Sequence, residues 1–266
     1  MINTLHALAL LWYVVATAAA FVPFVGGWAA PVPRWLALGA PLLGAAFHVP
    51  AVAQLSFVGL APTLSVLALC LIVLQVLSER VLHTAAVSLF TAPLAAGLVG
   101  LGLLLGFGDD TEPSGGRNAW FILHVTLSVL GVALLALAFV SAALYLLQFR
   151  ELKAKRFGQV FRFFPPLEKL DRLNRAALVA GFPTLTLGVL LALGYAQRFA
   201  GGLNVPAAQV VWGAFTWVVL GWAVWVRTAR GWDGRRAAFA SIAGFGAVVL
   251  VYVALKLSEP GTERFL

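Results

Sequence analysis

Imidazole is the side chain with the clearest capacity for chemistry in this sequence. There are four histidines, and two of them, His48 and His124, stand inside apolar runs. Ionisable groups at membrane depth are costly and are a functional hypothesis by default. The plainer reading is a neutral ring that bonds a carbonyl on a neighbouring helix and fixes packing. Spacing adds something to both. Ser128 and Gly131 follow His124 on one helix face, and Gly44 and Pro41 precede His48 on another. Small residues there leave room beside each ring, either for a flat ligand or for a closely packed helix. His6 and His83 fall at the ends of apolar runs and are expected to be solvated or to lie among headgroups. The single Cys70 excludes an internal disulfide or a CxxC motif, and in its apolar stretch it reads as a small packing residue.

The elements that must position these rings follow from composition. Of 266 residues, 62% are hydrophobic and 11% charged, with a mean hydropathy of +0.96. A soluble domain is about half apolar and about a quarter charged. Several runs reach the roughly 20 residues that cross a bilayer. The expected fold is therefore all-α, a polytopic integral membrane protein forming a single transmembrane domain over 1–266. Eight spans are read at 5–25, 35–57, 61–82, 85–107, 119–149, 174–197, 207–227 and 236–257. The start, "MINTLHALALLWYVVATAAAF", lacks a basic leading region and reads as a span and not as a cleavable signal.

The net charge of +8 is a matter of topology, not of nucleic acid. Arg150, Lys153, Lys155, Arg156, Arg162, Lys169 and Arg172 crowd the connection 150–173, and "RTARGWDGRR" forms a second basic cluster. An eight-span count puts both on one side, which the positive-inside rule makes cytoplasmic. Arg34 and Arg80 fall on that side too. The acidic "GFGDDTEPSGGRN" and both termini are then outside. Within 150–173, "FRFFPPLEKLDRL" interleaves aromatic and leucine positions with basic ones, as in a helix at the headgroup boundary. Pro165–Pro166 breaks continuity there and starts a new segment.

With this topology His124 lies about 7 Å, and His48 about 13 Å, below the outer boundary at 1.5 Å per residue. Tilt must remove that offset if they share a site. Zinc wants three or four ligands, and no Cys, Asp or Glu is read at helical depth to complete such a set. Haem needs only axial ligands and an apolar slot, and two imidazoles bridging one iron stand about 4 Å apart, nitrogen to nitrogen. His124 and His48 are the candidate axial ligands of the haem iron. Trp120, Trp212, Trp217, Trp222 and Trp225 add an aromatic setting that any membrane protein shares.

Three segments carry a resemblance. "LHVTLSVLGVALLALAFVSAALYLLQ" resembles the histidine-bearing helix of CcsA-type cytochrome c assembly proteins. "LEKLDRLNRAALVAGFPTLTLGVLLALGYA" resembles the helix that follows it, and "ARGWDGRRAAFASIAGFGAVVLVYVALK" the family's final span. The resemblance implies a polytopic protein that holds or moves haem b for attachment to cytochromes c, in a bacterial cytoplasmic membrane. On it His124 matches a haem-ligating histidine, and His48 does so by analogy with an early-helix histidine. The departures are specific. "RFAGGLNVPAAQ" lacks the Trp-rich presenting loop with its aspartate, "WGAFTWVVLGWAVWVRT" has no histidine, and neither does "LKLSEPGTERFL". These departures resemble the smaller HemX/YpjD-like branch, linked to haem supply, and imply binding and relay without catalytic residues, at most as an auxiliary to a haem lyase.

A scaffold or regulator is the alternative reading. In it the basic segment 150–175 holds a cytochrome c assembly protein or a soluble enzyme of tetrapyrrole synthesis, and haem is not retained. A permease is weaker, since no inverted repeat is evident.

Overall fold

A computed structural model describes residues 1–25, 34–55, 59–83, 85–107, 119–155, 163–199 and 207–258. They form α1 (Ile2–Val25), α2 (Arg34–Val52), α3 (Leu60–Leu82), α4 (Ser88–Leu105), α5 (Ala119–Lys153), α6 (Leu167–Phe199), α7 (Ala207–Thr228) and α8 (Gly234–Ser258). All eight are long and apolar enough to cross a membrane. Leu and Ala dominate them, so intrinsic propensity and burial agree. No strand occurs among the described residues. The protein is a polytopic, all-helical membrane protein.

The acidic connection after Phe107, the loop before α7, the chain from 259 onward, and Arg156 and Arg162 lie outside the described residues.

Helix ends depart from the expected spans where polar sequence continues a helix. α5 has 35 residues, about 52 Å of helix against an apolar core of about 30 Å, so it runs on past the membrane core. α6 begins at Leu167, directly after Pro165–Pro166, and "LEKLDRL" forms its first two turns. It is not the separate headgroup helix expected from its composition. The proline pair does start the segment, because proline is tolerated at a helix beginning. Glu168 in the first turn suits the positive end of the helix dipole.

α5 is the spine. Leu135, Leu137, Ala138 and Leu144 on it pack with Leu178 and Leu185 of α6, Leu220 of α7 and Ala238 of α8. Along the α5–α6 seam the backbones nearly touch. A Cβ on Gly131 would stand 2.8 Å from the Leu185 nitrogen, and one on Gly181 would stand 3.1 Å from Leu134 Cβ.

The bundle has two poles. At one, Arg227 is 1% exposed and its Nη2 donates to the Asp171 carboxylate at 2.6 Å and the Asp171 carbonyl at 2.9 Å. Its Nη1 donates to the Trp232 carbonyl at 3.1 Å, and the Gly234 N–H donates to Asp171 Oδ1 at 3.0 Å. Lys169 Nζ reaches the Leu82 carbonyl at 3.4 Å. The two basic stretches thus meet in space, as the span count requires. Of the described Lys and Arg, all but Arg198 and Lys256 belong to this pole by their position in the chain. The other pole gathers the beginnings of α1, α3 and α5 with the ends of α2 and α4, and it holds three of the four histidines.

Candidate functional site

His124 sits in the second turn of α5 and is half-buried. Its Nδ1 lies 2.7 Å from the Gly188 carbonyl oxygen of α6. A carbonyl can only accept, so Nδ1 carries the hydrogen, and in the neutral ring the lone pair stands on Nε2. No hydrogen bond engages that Nε2 among the described residues. One turn earlier, Trp120 Nε1 donates to the Leu191 carbonyl at 2.9 Å. Two donors four residues apart on α5 therefore dock on two carbonyls three residues apart on α6. The approach requires glycine at 188, because a Cβ there would collide with Ser128 Oγ and stand 2.9 Å from the Ser128 nitrogen.

The space expected beside His124 is thus taken by a helix. Ser128 and Gly131 serve the contact with Gly188 and Leu185. The carbonyl bond that marks a packing histidine is present as well. It is also the bond that orients a ligand histidine, since ligating imidazoles donate their other N–H to a carbonyl or carboxylate.

His48, on α2, belongs to a different network. Both His6 and His48 are 0% exposed, as are Ser65 and Tyr13. His6 is not solvated, contrary to expectation: its ring stacks on Phe107 with centroids 4.0 Å apart. His6 Nδ1 is 3.0 Å from the Ile2 carbonyl, and His6 Nε2 is 2.8 Å from Ser65 Oγ. His48 Nε2 is also 2.8 Å from Ser65 Oγ, and its Nδ1 is 2.9 Å from the Tyr13 hydroxyl.

Proton bookkeeping orders this row for neutral rings, which is the form burial favours where no carboxylate is bonded. His6 Nδ1 must donate to the carbonyl, so His6 Nε2 accepts from Ser65 O–H. Ser65 has then used its proton, so it accepts from His48 Nε2–H, and His48 Nδ1 accepts from Tyr13 O–H. Every ring nitrogen has one partner. The space behind His48 is filled too: a Cβ on Gly44 would collide with the Tyr13 ring.

No hydrogen bond or ring contact joins His48 to His124 among the described residues. An apolar cluster of Val52, Leu55, Val66 and Val129, with Phe107 and Val125, connects their helices. The participation of His6, Ser65 and Tyr13 was not anticipated. The available signal was the seven-residue spacing of His6 and Tyr13, with Ala9 between them, on one buried face of α1.

His83 is exposed, as expected, and closes α3 as its cap with φ 56°, its N–H bonded to the Glu79 carbonyl. Glu79 itself is buried at 4% exposure in the last turns of α3, too far from His48 and His124 to join a ligand set with them. It accepts the Ser88 N–H at 2.8 Å, at the pole away from the buried histidines. Among the described residues no three His, Cys, Asp or Glu gather to hold a metal ion. Trp217, Trp222 and Trp225 are nearly half exposed on the outer face of the bundle, where lipid-facing tryptophan is ordinary.

Residues 44–262 match the family model described as cytochrome C assembly protein. The chain belongs to that family. The cytochrome c biogenesis protein CcsA of Chlamydomonas reinhardtii is 26% identical over 149 residues, 56% of this chain and 41% of that protein. CcsA of Guillardia theta is 25% identical over 164 residues, 56% of this chain and 54% of the relative. An uncharacterised 28.8 kDa protein of Azospirillum brasilense is 29% identical over 149 residues, 56% and 52% of the two chains. The chain spans about half the length, or less, of these relatives. The cytochrome C assembly match takes in His48, Ser65 and His124 and begins at Gly44, leaving His6 and Tyr13 outside it.

Proposed function

We propose that this member of the cytochrome C assembly family is a haem-handling protein, holding haem b on His124 for cytochrome c assembly. The observation that carries the reading is the state of the His124 ring. Its Nδ1–H is committed to the Gly188 carbonyl at 2.7 Å, which in the neutral ring leaves an oriented lone pair on Nε2 of a half-buried side chain. Haem, when bound, would supply an iron centre that imidazole can ligate, and His124 would hold it. The residues bind and orient: Gly188 fixes the ring, Trp120 anchors the same turn, and α6 backs the seam. His48 fits less directly, because its nitrogens are held by Tyr13 and Ser65. It becomes a second ligand only by releasing one of them. Under this reading the basic pole faces the cytoplasm of a bacterial inner membrane, the chain termini face outward, and residues 1–266 act as one membrane domain of the HemX/YpjD-like kind.

The test is an absorption spectrum of protein purified in mild detergent and titrated with haem. A Soret band shifted from that of free haem is expected, abolished by His124→Ala and retained in His48→Ala. No shift, or one that survives His124→Ala, overturns the reading.

The scaffold alternative rests on a separate observation. The first turns of α6 are well exposed: the Arg172 and Glu168 side chains pair at 2.7 Å while 76% and 82% accessible. A soluble assembly or tetrapyrrole-synthesis partner would dock on this surface and the 150–173 connection. A pull-down retained after loss of both His48 and His124, and lost on neutralising that surface, favours it.

A further inference from the structure

At the basic pole a cleft of about 510 Å³ opens between the end of α5 and the start of α8. Leu146, Phe149 and Phe239 form its apolar wall, and Arg150, Lys153 and Arg235 its charged rim. Arg150 and Lys153 occupy the last turn of α5. Arg235 follows the first residue of α8, whose first turn carries no acid. The cations therefore stand at the helix ends. Leu146 and Phe239 lie about one turn further into the bundle than Arg150 and Arg235, and Phe149 directly precedes Arg150.

None of the three cations forms an ion pair among the described residues. Glu151, between Arg150 and Lys153 on α5, does not line the cleft, and the other acids of this pole are engaged elsewhere: Asp171 and Asp233 with Arg227, Glu168 with Arg172, and Glu79 with the Ser88 N–H. Arg235 instead lies over two aromatic rings, 5.7 Å from the Phe149 centroid and 5.4 Å from that of Phe239, bridging α5 and α8. A guanidinium resting on aromatic faces keeps its planar N–H fork free for an anion. The positive end of the α8 dipole is offset by the negative end of α5, so the attraction for an anion comes from the three cations themselves.

We propose that this cleft binds an anionic phospholipid, its phosphate on Arg150, Lys153 and Arg235 and an acyl chain along Leu146, Phe149 and Phe239. The polarity gradient is the deciding feature. A charged rim above an apolar wall that runs toward the membrane interior matches an amphiphile, whereas a small soluble anion has no use for the wall. Basic pockets between membrane helices are known to take such headgroups. The site is independent of the haem reading, because it lies at the pole opposite His124.

The experiment measures thermal unfolding of the detergent-purified full chain with added phosphatidylglycerol, phosphatidylcholine of the same acyl chains, or inorganic phosphate. Phosphatidylglycerol is expected to stabilise and the other two are not. Replacing Arg150, Lys153 and Arg235 together by Gln is expected to weaken the response about a hundredfold in lipid concentration, near fivefold per cation. The matched variant Lys155→Gln with Arg230→Gln and Arg236→Gln removes equal charge outside the cleft and is expected to keep it. Arg235→Gln alone supplies the same comparison should the triple variant fail to fold. Equal stabilisation by phosphatidylcholine overturns the proposal, as does equal loss in the matched variant. A response to phosphate alone reassigns the cleft to small anions and overturns it as well.

Discussion

His124 Nδ1 and the Gly188 carbonyl oxygen lie 2.7 Å apart, across a seam where neither helix has room for one more carbon. The hydrogen bond and the close packing are therefore one feature: the carbonyl is reachable because residue 188 has no side chain. Gly188→Ala is expected to destabilise the protein by about 1–3 kcal/mol through overpacking. It should also weaken any spectral change on haem addition. Adding Ser128→Ala relieves only part of this, because the added Cβ still stands 2.9 Å from the Ser128 nitrogen. Thermal unfolding of the single and double variants measures both effects, and full rescue by Ser128→Ala would contradict the geometry.

The buried row makes a prediction about proton positions. His6 is expected in the Nδ1–H form and His48 in the Nε2–H form, readable from nitrogen-15 shifts of labelled histidine. The reverse pair of tautomers would show that the donor order assigned through Ser65 is wrong.

Removing the shared hydroxyl should be costly out of proportion to its size. Ser65→Ala leaves the Nε2 atoms of both His6 and His48 without a partner in a site of 0% exposure. A loss of about 1–3 kcal/mol is expected, the scale for unsatisfied buried polar groups. Tyr13→Phe frees His48 Nδ1 in the same row, so the two losses should not add in the double variant. Simple additivity in unfolding measurements would argue against a connected network.

At the basic pole, Arg227→Met strands Asp171, whose carboxylate then has only the Gly234 N–H as a bonded partner of those described. Breaking a buried pair costs about 3–5 kcal/mol. Asp171 is 24% accessible, so an effect near about 3 kcal/mol is expected by thermal unfolding. Arg227→Lys should recover only part, since a single nitrogen replaces the two guanidinium nitrogens that separately reach the Asp171 carboxylate and the Trp232 carbonyl.

Gly234 combines two constraints. Its φ is 58°, and a Cβ would stand 2.8 Å from the Tyr145 hydroxyl. Gly234→Ala is expected to cost about 1–3 kcal/mol of backbone strain and crowding. Pairing it with Tyr145→Phe should remove the crowding and leave the strain, a partial recovery that an unfolding series would show.

The eight helices were legible because each is an apolar run of spanning length, and the basic pole was legible because Arg and Lys collect on alternate connections. The start of α6 was not: "LEKLDRL" has the composition of a surface helix, and only the tertiary bonds of Asp171 and Lys169 show it as part of the bundle. The rings were half legible. His48 and His124 stood out by depth, but Gly44, Ser128 and Gly131 read equally as a ligand slot or a helix seam, because both demand small side chains. His6 was misjudged for a related reason. Nearness to the chain start says nothing about Phe107 and Ser65, which come from α3 and the end of α4 to enclose it.

The row from Tyr13 to Ile2 has a direction it cannot reverse. A peptide oxygen has no hydrogen to give, so the Ile2 carbonyl at the far end dictates which way every link points. Tyr13 spends its only hydrogen on His48. Whatever else approaches the Tyr13 oxygen therefore meets lone pairs alone: the backbone at the beginning of α1 sets the polarity that a side chain about three helical turns further along the same helix presents to its surroundings.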